Sequence, residues 1–287
     1  MAPNEYDGYL FDLDGVIWLG GEPIPGAPGA VAELIAAGAE VAFLSNNSRH
    51  SPAEYAERLR AIGVEVAADR VLTSGAVTAR LAASAAGEAG RALVIGTGSF
   101  RREVEAAGLE AVGEGPAEVV VVSGHEGFDY GELRAACAAL GGGARLFATT
   151  RDPTMPMPDG PWPGTGAILA AIEAASGARA EIGGKPERHL FEAARSALGG
   201  ARRVVMVGDR IDSDLGGAGA VGLDGILVLS GATSRQEAEA AGLRPGQILD
   251  SVADLVAMGN GGSGGGEELG ETGRRRDQAP GVPEEPR

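Results

Sequence analysis

Short apolar runs alternating with helix-like stretches predict an α/β protein with a largely parallel sheet. The runs are residues 9–11, 41–44, 93–95, 119–122, 146–148, 204–207 and 226–229. Helical patterns lie between them at 52–62, 130–140, 167–176 and 186–198. In the first of these, Tyr55, Leu59 and Ile62 share one face. At 287 residues the chain holds one large domain or two medium ones. The interval between Ser48 and Lys185 is too long for one crossover and repeats the strand–helix alternation over 82–179. A first unit from 1–81 and 180–258 with a second unit between its halves is therefore expected. After Met258 the pattern stops. Residues 259–287 begin GNGGSGGGEE and end rich in Pro and Glu, with almost no apolar side chains. Such a tail cannot offset its ordering entropy and is expected to be disordered.

Composition narrows the function. Hydrophobic residues make up 44% of the chain, ordinary for a globular protein. A formal charge of −16 argues against nucleic acid or an anionic membrane as the main partner, since phosphate affinity needs clustered Lys and Arg. It leaves small anionic substrates open, because a metal and a few cations can focus the field locally. Cys137 is the one cysteine, so no internal disulfide forms, and its Ala-rich helical surroundings suggest a small core residue. The N-terminal MAPNEYDGYLFDLDG has no basic region followed by an apolar stretch, and no apolar run approaches the ~18 residues that span a bilayer. A cytoplasmic protein is expected.

The sharpest local feature is Phe11-Asp12-Leu13-Asp14-Gly15-Val16, at the end of the first apolar run. Carboxylates two apart on an extended segment point to one side, and ligands of open α/β sheets sit beyond the strands' carboxyl ends. Like charges that close need a cation or a shared proton. Alone, Asp-Gly also suits a surface turn. Three further pieces accompany it: Ser45-Asn46-Asn47-Ser48 after the second run, Gly184-Lys185-Pro186 opening a helix, and Gly208-Asp209-Arg210-Ile211-Asp212-Ser213-Asp214 after 204–207. A lysine at a helix start opposes the helix dipole, so nearby anions should accompany it.

In this order the four pieces resemble the haloacid dehalogenase-like superfamily of phosphohydrolases. DLDGVIWLGGEPIPGA, FLSNNSRHS, VLTSGAVTA, PDGPWPGTGAILAAIEAASG, IGGKP and MVGDRIDSD are similar to its NagD-like and p-nitrophenyl phosphatase branch, which includes phosphoglycolate and pyridoxal phosphate phosphatases. The similarity covers roughly residues 6–258. It implies a Rossmann-like parallel-sheet core, 1–81 and 180–258, with an inserted α/β cap, 82–179, whose loops choose the leaving group. It also implies a Mg²⁺-dependent phosphomonoesterase acting on a small phosphorylated metabolite through an aspartyl-phosphate. Asp12 resembles the nucleophile and Asp14 the general acid/base. Asp12, Asp209 and the backbone carbonyl of Asp14 resemble the Mg²⁺ ligands. Ser45, Asn46, Asn47 and Lys185 resemble the residues that hold the phosphoryl oxygens, with Lys185 also catalytic. Asp214 and Asp212 resemble the outer acids that orient metal-bound water and the lysine. Members of the branch often form homodimers through their caps.

The chemistry suits these residue types. Mg²⁺ prefers oxygen ligands and would offset repulsion between Asp12 and a phosphate dianion. Lys185 and Ser45 would neutralise the equatorial oxygens of the transferring group. Asp14 would protonate the leaving alkoxide and then deprotonate water, and its presence points to phosphomonoesters. Residues 151–163 give the densest loop signal of the cap and are expected to approach the site. His50, His125 and His189 lack metal-ligand spacing. Trp18 suits packing, and Arg210 a place behind the core motifs. Two other classes remain: a phosphotransferase with the same aspartyl-phosphate, and a non-catalytic or dinucleotide-binding α/β protein. The latter rests on Gly96-Thr97-Gly98, although Arg101 stands where the fingerprint has its third glycine.

Overall fold

The computed structural model describes residues 6–87, 90–157 and 160–256, so the expected tail lies outside the described residues. Two parallel sheets organise the chain. The six-stranded sheet runs in the order Ile248–Leu249, Asp224–Val228, Val204–Gly208, Gly8–Asp12, Glu40–Ser45, Val71–Thr73. The five-stranded sheet runs Glu181–Ile182, Arg145–Ala148, Val119–Val122, Arg91–Ile95, Glu110–Val112. Gly8–Asp12 is central, with later strands leaving it on both sides. That reversal opens a crevice at its carboxyl end, where α/β sheets bind ligands.

The pleat explains how Gly8–Asp12 is buried on both faces. Tyr9 and Phe11 pack with Phe43, Tyr55 and Leu59 on one face. Leu10 packs with Leu44, Leu190 and Phe191 on the other. Asp12 shares the parity of Leu10 and so emerges on the side of the helix Arg188–Ala197. The helix Pro52–Ala61 starts where Ser51 and Glu54 close a capping box and Pro52 supplies a preset φ. In the second sheet, Val119–Val122 is a run of four buried valines packed from both faces.

Several expectations change. Residues 151–163 are not a plain loop: Thr154–Met157 pairs antiparallel with Gly160–Pro163, Met155 opposite Trp162. Cys137 is only half-buried. The Gly96–Gly98 turn does join a strand to the helix Gly98–Ala106, yet Gly96 has a packing reason, since a Cβ there would meet Phe100 and Ser123. Arg101 donates from Nη1 to the Ala111 carbonyl at 2.9 Å. Among the described residues no helix is long and apolar enough to cross a membrane.

A buried carboxylate ties the second sheet's last helix to the chain returning from it. Glu173, 7% exposed, accepts from Arg151 at 3.0 and 3.1 Å, from Arg179 at 3.0 Å and from the Ala180 N–H at 2.9 Å. The Arg151 bonds lead in pulling its pKa from the ordinary 4.5 to about 2. A carboxyl with a depressed folded pKa stabilises above its unfolded value and loses that contribution as pH falls through the folded one. Arg151 and Arg179 are themselves exposed, so solvent screens these bonds, and the contribution at neutral pH is on the order of 1 kcal/mol. Glu173→Gln should therefore be clearly less stable than wild type in urea at pH 7. The gap should shrink steadily from about pH 4.5 towards pH 2, as denaturation series across that window would record.

Candidate active site

Lys185 is the centre of the site. It follows the edge strand Glu181–Ile182 of the second sheet and precedes the helix Arg188–Ala197 of the first. Its Nζ donates to Asp12 Oδ1 and to Asp214 Oδ1, both at 2.6 Å. All three residues are buried, as is Asp209 at 3% exposure. Burial alone would lower the lysine's pKa, but Asp12 and Asp214 outweigh it, and the ammonium stays charged. Burial pushes the Asp12 carboxyl well up, against the pull of Lys185, and Asp214 and Asp209 add to the rise. Asp209 is raised too, by burial and then by Asp214.

Each acid is placed by local structure. Asp12 ends the central strand. Asp209 follows Val204–Gly208, and its Oδ2 accepts the Ala232 N–H at 2.7 Å. Asp214 lies on a π-helical turn, Ile211–Gly216, a rare geometry found at functional sites. That turn buries Asp214, whose Oδ2 accepts the Arg210 N–H at 3.0 Å. Asp212 on the same turn is exposed and caps its neighbour Ser213, outside the acid cluster. Arg210 thus reaches Asp214 through its backbone, while its side chain is exposed.

Asp14 differs from Asp12 in setting. The strand stops at Asp12, so the two are not successive members of one pleat. Asp14 is exposed on the turn beyond and accepts from Trp18 Nε1 at 2.9 Å. Trp18 is 2% exposed and stacks on Tyr55, 6.0 Å between centroids, with the Arg58 guanidinium 4.5 Å from its ring. The expected packing residue therefore also holds the candidate acid/base, a role that only its indole N–H could have signalled.

Ser45 is buried at the end of Glu40–Ser45, and its Oγ accepts the Asn47 N–H at 3.1 Å. Asn47 Oδ1 in turn accepts the Arg49 N–H at 3.1 Å. The Asn46 amide is engaged elsewhere: Oδ1 accepts the Lys185 N–H at 2.8 Å and Nδ2 donates to the Lys185 carbonyl at 3.0 Å. Of the expected phosphoryl-holding set, Asn46 thus serves the lysine's main chain. His50 is exposed, edge-on to Tyr55.

Carboxylate oxygens of Asp12, Asp209 and Asp214 lie within 4.8 Å of one another, facing a single ammonium. If all are ionised the cluster carries two uncompensated negative charges, which a divalent cation matches. Asp209 Oδ1 is buried without a hydrogen-bond partner. Asp214 has both oxygens engaged, so Asp209 and Asp12 are the side chains suited to a metal. An orphaned carboxylate oxygen beside a surplus of acids is what a hard cation requires.

Comparison with known proteins gives this geometry its context. A haloacid dehalogenase-like hydrolase family model matches residues 9–110, and a second, HAD-hydrolase-like, matches 182–255. Chronophin of Mus musculus is 37% identical over 88% of this chain and 93% of its own. The p-nitrophenyl phosphatase of Archaeoglobus fulgidus superposes with a TM-score of 0.81 at 35% identity, over 88% of this chain and 98% of that one. A glycerol phosphate phosphatase of Mycobacterium tuberculosis in complex with magnesium gives 0.79 at 32% identity, over 88% and 77%. The chain belongs to the haloacid dehalogenase-like hydrolases. Within them it is a phosphoric monoester hydrolase, and its acid cluster could hold a divalent cation such as the calcium or magnesium of the mycobacterial relative.

Small residues keep that site open. A Cβ at Gly231 would collide with the Asp209 carboxylate. Gly231→Ala should therefore displace Asp209 and weaken binding of Mg²⁺ or Mn²⁺ at least about tenfold, one lost charged contact. Calorimetric titration of the folded variant checks this, and unchanged affinity would mean that Asp209 is no ligand.

Proposed function

We propose that the protein hydrolyses the phosphate monoester of a small hydroxylated metabolite in the cytoplasm, by transfer to Asp12 and release from it, with Mg²⁺ as the cation. The observation that carries this reading is the buried Lys185 joined at 2.6 Å to both Asp12 and Asp214. An ammonium so held offers its charge to a phosphoryl group arriving at Asp12 without further reorganisation. Asp12 and Asp209, with the Asp14 backbone carbonyl, would hold Mg²⁺, which when bound offsets the repulsion between carboxylate and phosphate dianion.

The remaining steps belong to the chain's own groups. An Asp12 oxygen attacks phosphorus, and the bond to the leaving oxygen breaks. Asp14, exposed and held by Trp18, gives that oxygen its proton. It then takes a proton from the water that attacks the aspartyl-phosphate, which returns Asp12 and releases inorganic phosphate. Ser45 beside Asp12's strand end supports the phosphoryl oxygens. The mycobacterial relative named for glycerol phosphate and the A. fulgidus enzyme named for an aryl phosphate support a small monoester as substrate. No observation favours a phosphotransferase acceptor over water.

A panel of glycerol phosphates, phosphoglycolate, nucleoside monophosphates, pyridoxal phosphate and p-nitrophenyl phosphate, read by phosphate release, tests the proposal. Turnover should need Mg²⁺ and vanish in Asp12→Asn. Lys185→Ala should lower kcat/KM by about 10²–10³ on every substrate, since the phosphoryl group is common to all. Full activity in excess chelator, or in Asp12→Asn, would overturn it.

A further inference from the structure

We infer that Asp152, two residues before the strand Thr154–Met157, is a positioning residue for Lys185 and acts through Asn46. The inference rests on the phosphomonoesterase reading above. One amide reads both main-chain groups of Lys185: Asn46 Oδ1 accepts its N–H at 2.8 Å and Nδ2 donates to its carbonyl at 3.0 Å. Those two bonds fix which way the amide faces. The second hydrogen on Nδ2 then goes to Asp152 Oδ2 at 3.2 Å. An ionised carboxylate accepts and cannot donate, so Asp152 reinforces that one orientation and opposes the flipped one.

Both ends of this bridge are themselves fixed. The Ser74 hydroxyl donates to the Asn46 carbonyl at 2.8 Å. Asp152 donates its N–H to Thr150 Oγ1 at 3.3 Å and accepts the Gly166 N–H at 2.8 Å on its carbonyl. The lysine loop has no slack between them. A Cβ on Gly184 would lie 2.6 Å from Asn46 Oδ1 and 2.9 Å from Ser74 Cβ, and the Gly184 N–H is bonded to the Thr149 carbonyl at 2.9 Å. The loop after Ser45 also meets the second unit at Ser48–Ser123 and Arg49–Glu126. The Asp152 contact is the one that continues into Lys185.

At 2.6 Å from two carboxylates, Lys185 Nζ has little tolerance for a main-chain shift. A displacement of about 1 Å at a reacting group can cost up to about 10²-fold in rate. A different role, direct contact of Asp152 with the leaving group, makes a different forecast. A leaving-group contact re-ranks substrates, whereas a residue that positions Lys185 scales them together.

The test runs wild type, Asp152→Ala, Asp152→Asn, Asn46→Ala and the Asp152→Ala/Asn46→Ala pair on the phosphomonoester panel, with melting temperatures recorded for each. Asp152→Ala should lower kcat by about tenfold or more by a similar factor on all substrates, with KM changed far less. Asp152→Asn, which can still accept from Asn46, should recover most of the loss. In the Asn46→Ala background Asp152→Ala should cost almost nothing further, because the bridge is already gone. Re-ranking of substrates, a full multiplicative loss in the double variant, or wild-type kinetics in Asp152→Ala would overturn the inference. Should Asn46→Ala fail to fold, the comparison of Asp152→Ala with Asp152→Asn decides alone. A wild type inactive on the whole panel would sink the phosphatase reading itself, an outcome separate from these.

Discussion

A lysine ammonium taken out of water costs several kcal/mol unless close partners compensate it. Lys185 is 3% exposed and has two, Asp12 and Asp214, at 2.6 Å each. With Asp209 nearby, the carboxylates outnumber the ammonium, and burial raises both Asp12 and Asp209. The pocket is therefore short of positive charge, and the unpartnered Asp209 Oδ1 marks where the shortage is greatest. A divalent cation is the charge that would answer those surplus acids.

The fold exists around this arrangement in a traceable way. Asp12 ends the strand of the six-stranded sheet that has later strands on both sides, so the crevice opens at its carboxylate. Asp209 directly follows the strand beside it, and Ser45 ends the strand on the opposite side. Lys185 comes from between the two sheets, three residues after the edge strand Glu181–Ile182. Glycine keeps the walls thin: a Cβ at Gly15, Gly208 or Gly231 would run into the Asp209 or Asp214 carboxylate. Gly15 also has a φ of 87°, which other residues rarely adopt.

The long buried strands are legible in the sequence because they are buried on both faces and read as apolar runs. Val71–Thr73, Glu110–Val112, Glu181–Ile182 and Ile248–Leu249 are not, because they have too few residues to show a period. The strand pair Thr154–Met157 and Gly160–Pro163 reads as loop because of its prolines. A two-stranded ribbon is all edge, and Pro156 opposite Pro161 removes no ladder bond that a central strand would need. Asp12, Lys185 and Asp209 were legible because their positions follow strand ends and a helix start. Asp212 and Asp214 were not separable by spacing, and the π turn decides which one turns inward. Asn46 and Asp152 are 106 residues apart, a contact that no local pattern encodes.

The residue that accepts the phosphoryl group decides whether Asp12 is the nucleophile. With an activated leaving group that needs no proton, such as p-nitrophenolate, Asp14→Asn should still form the aspartyl-phosphate but hydrolyse it slowly, so that it accumulates. Acid quench of that variant with ³²P-labelled substrate, borohydride reduction and peptide mass spectrometry locates the acceptor. The predicted result is a covalent label that reduction converts to homoserine at position 12. Label at another residue, or phosphate release with no covalent species under conditions where the variant turns over, would contradict it.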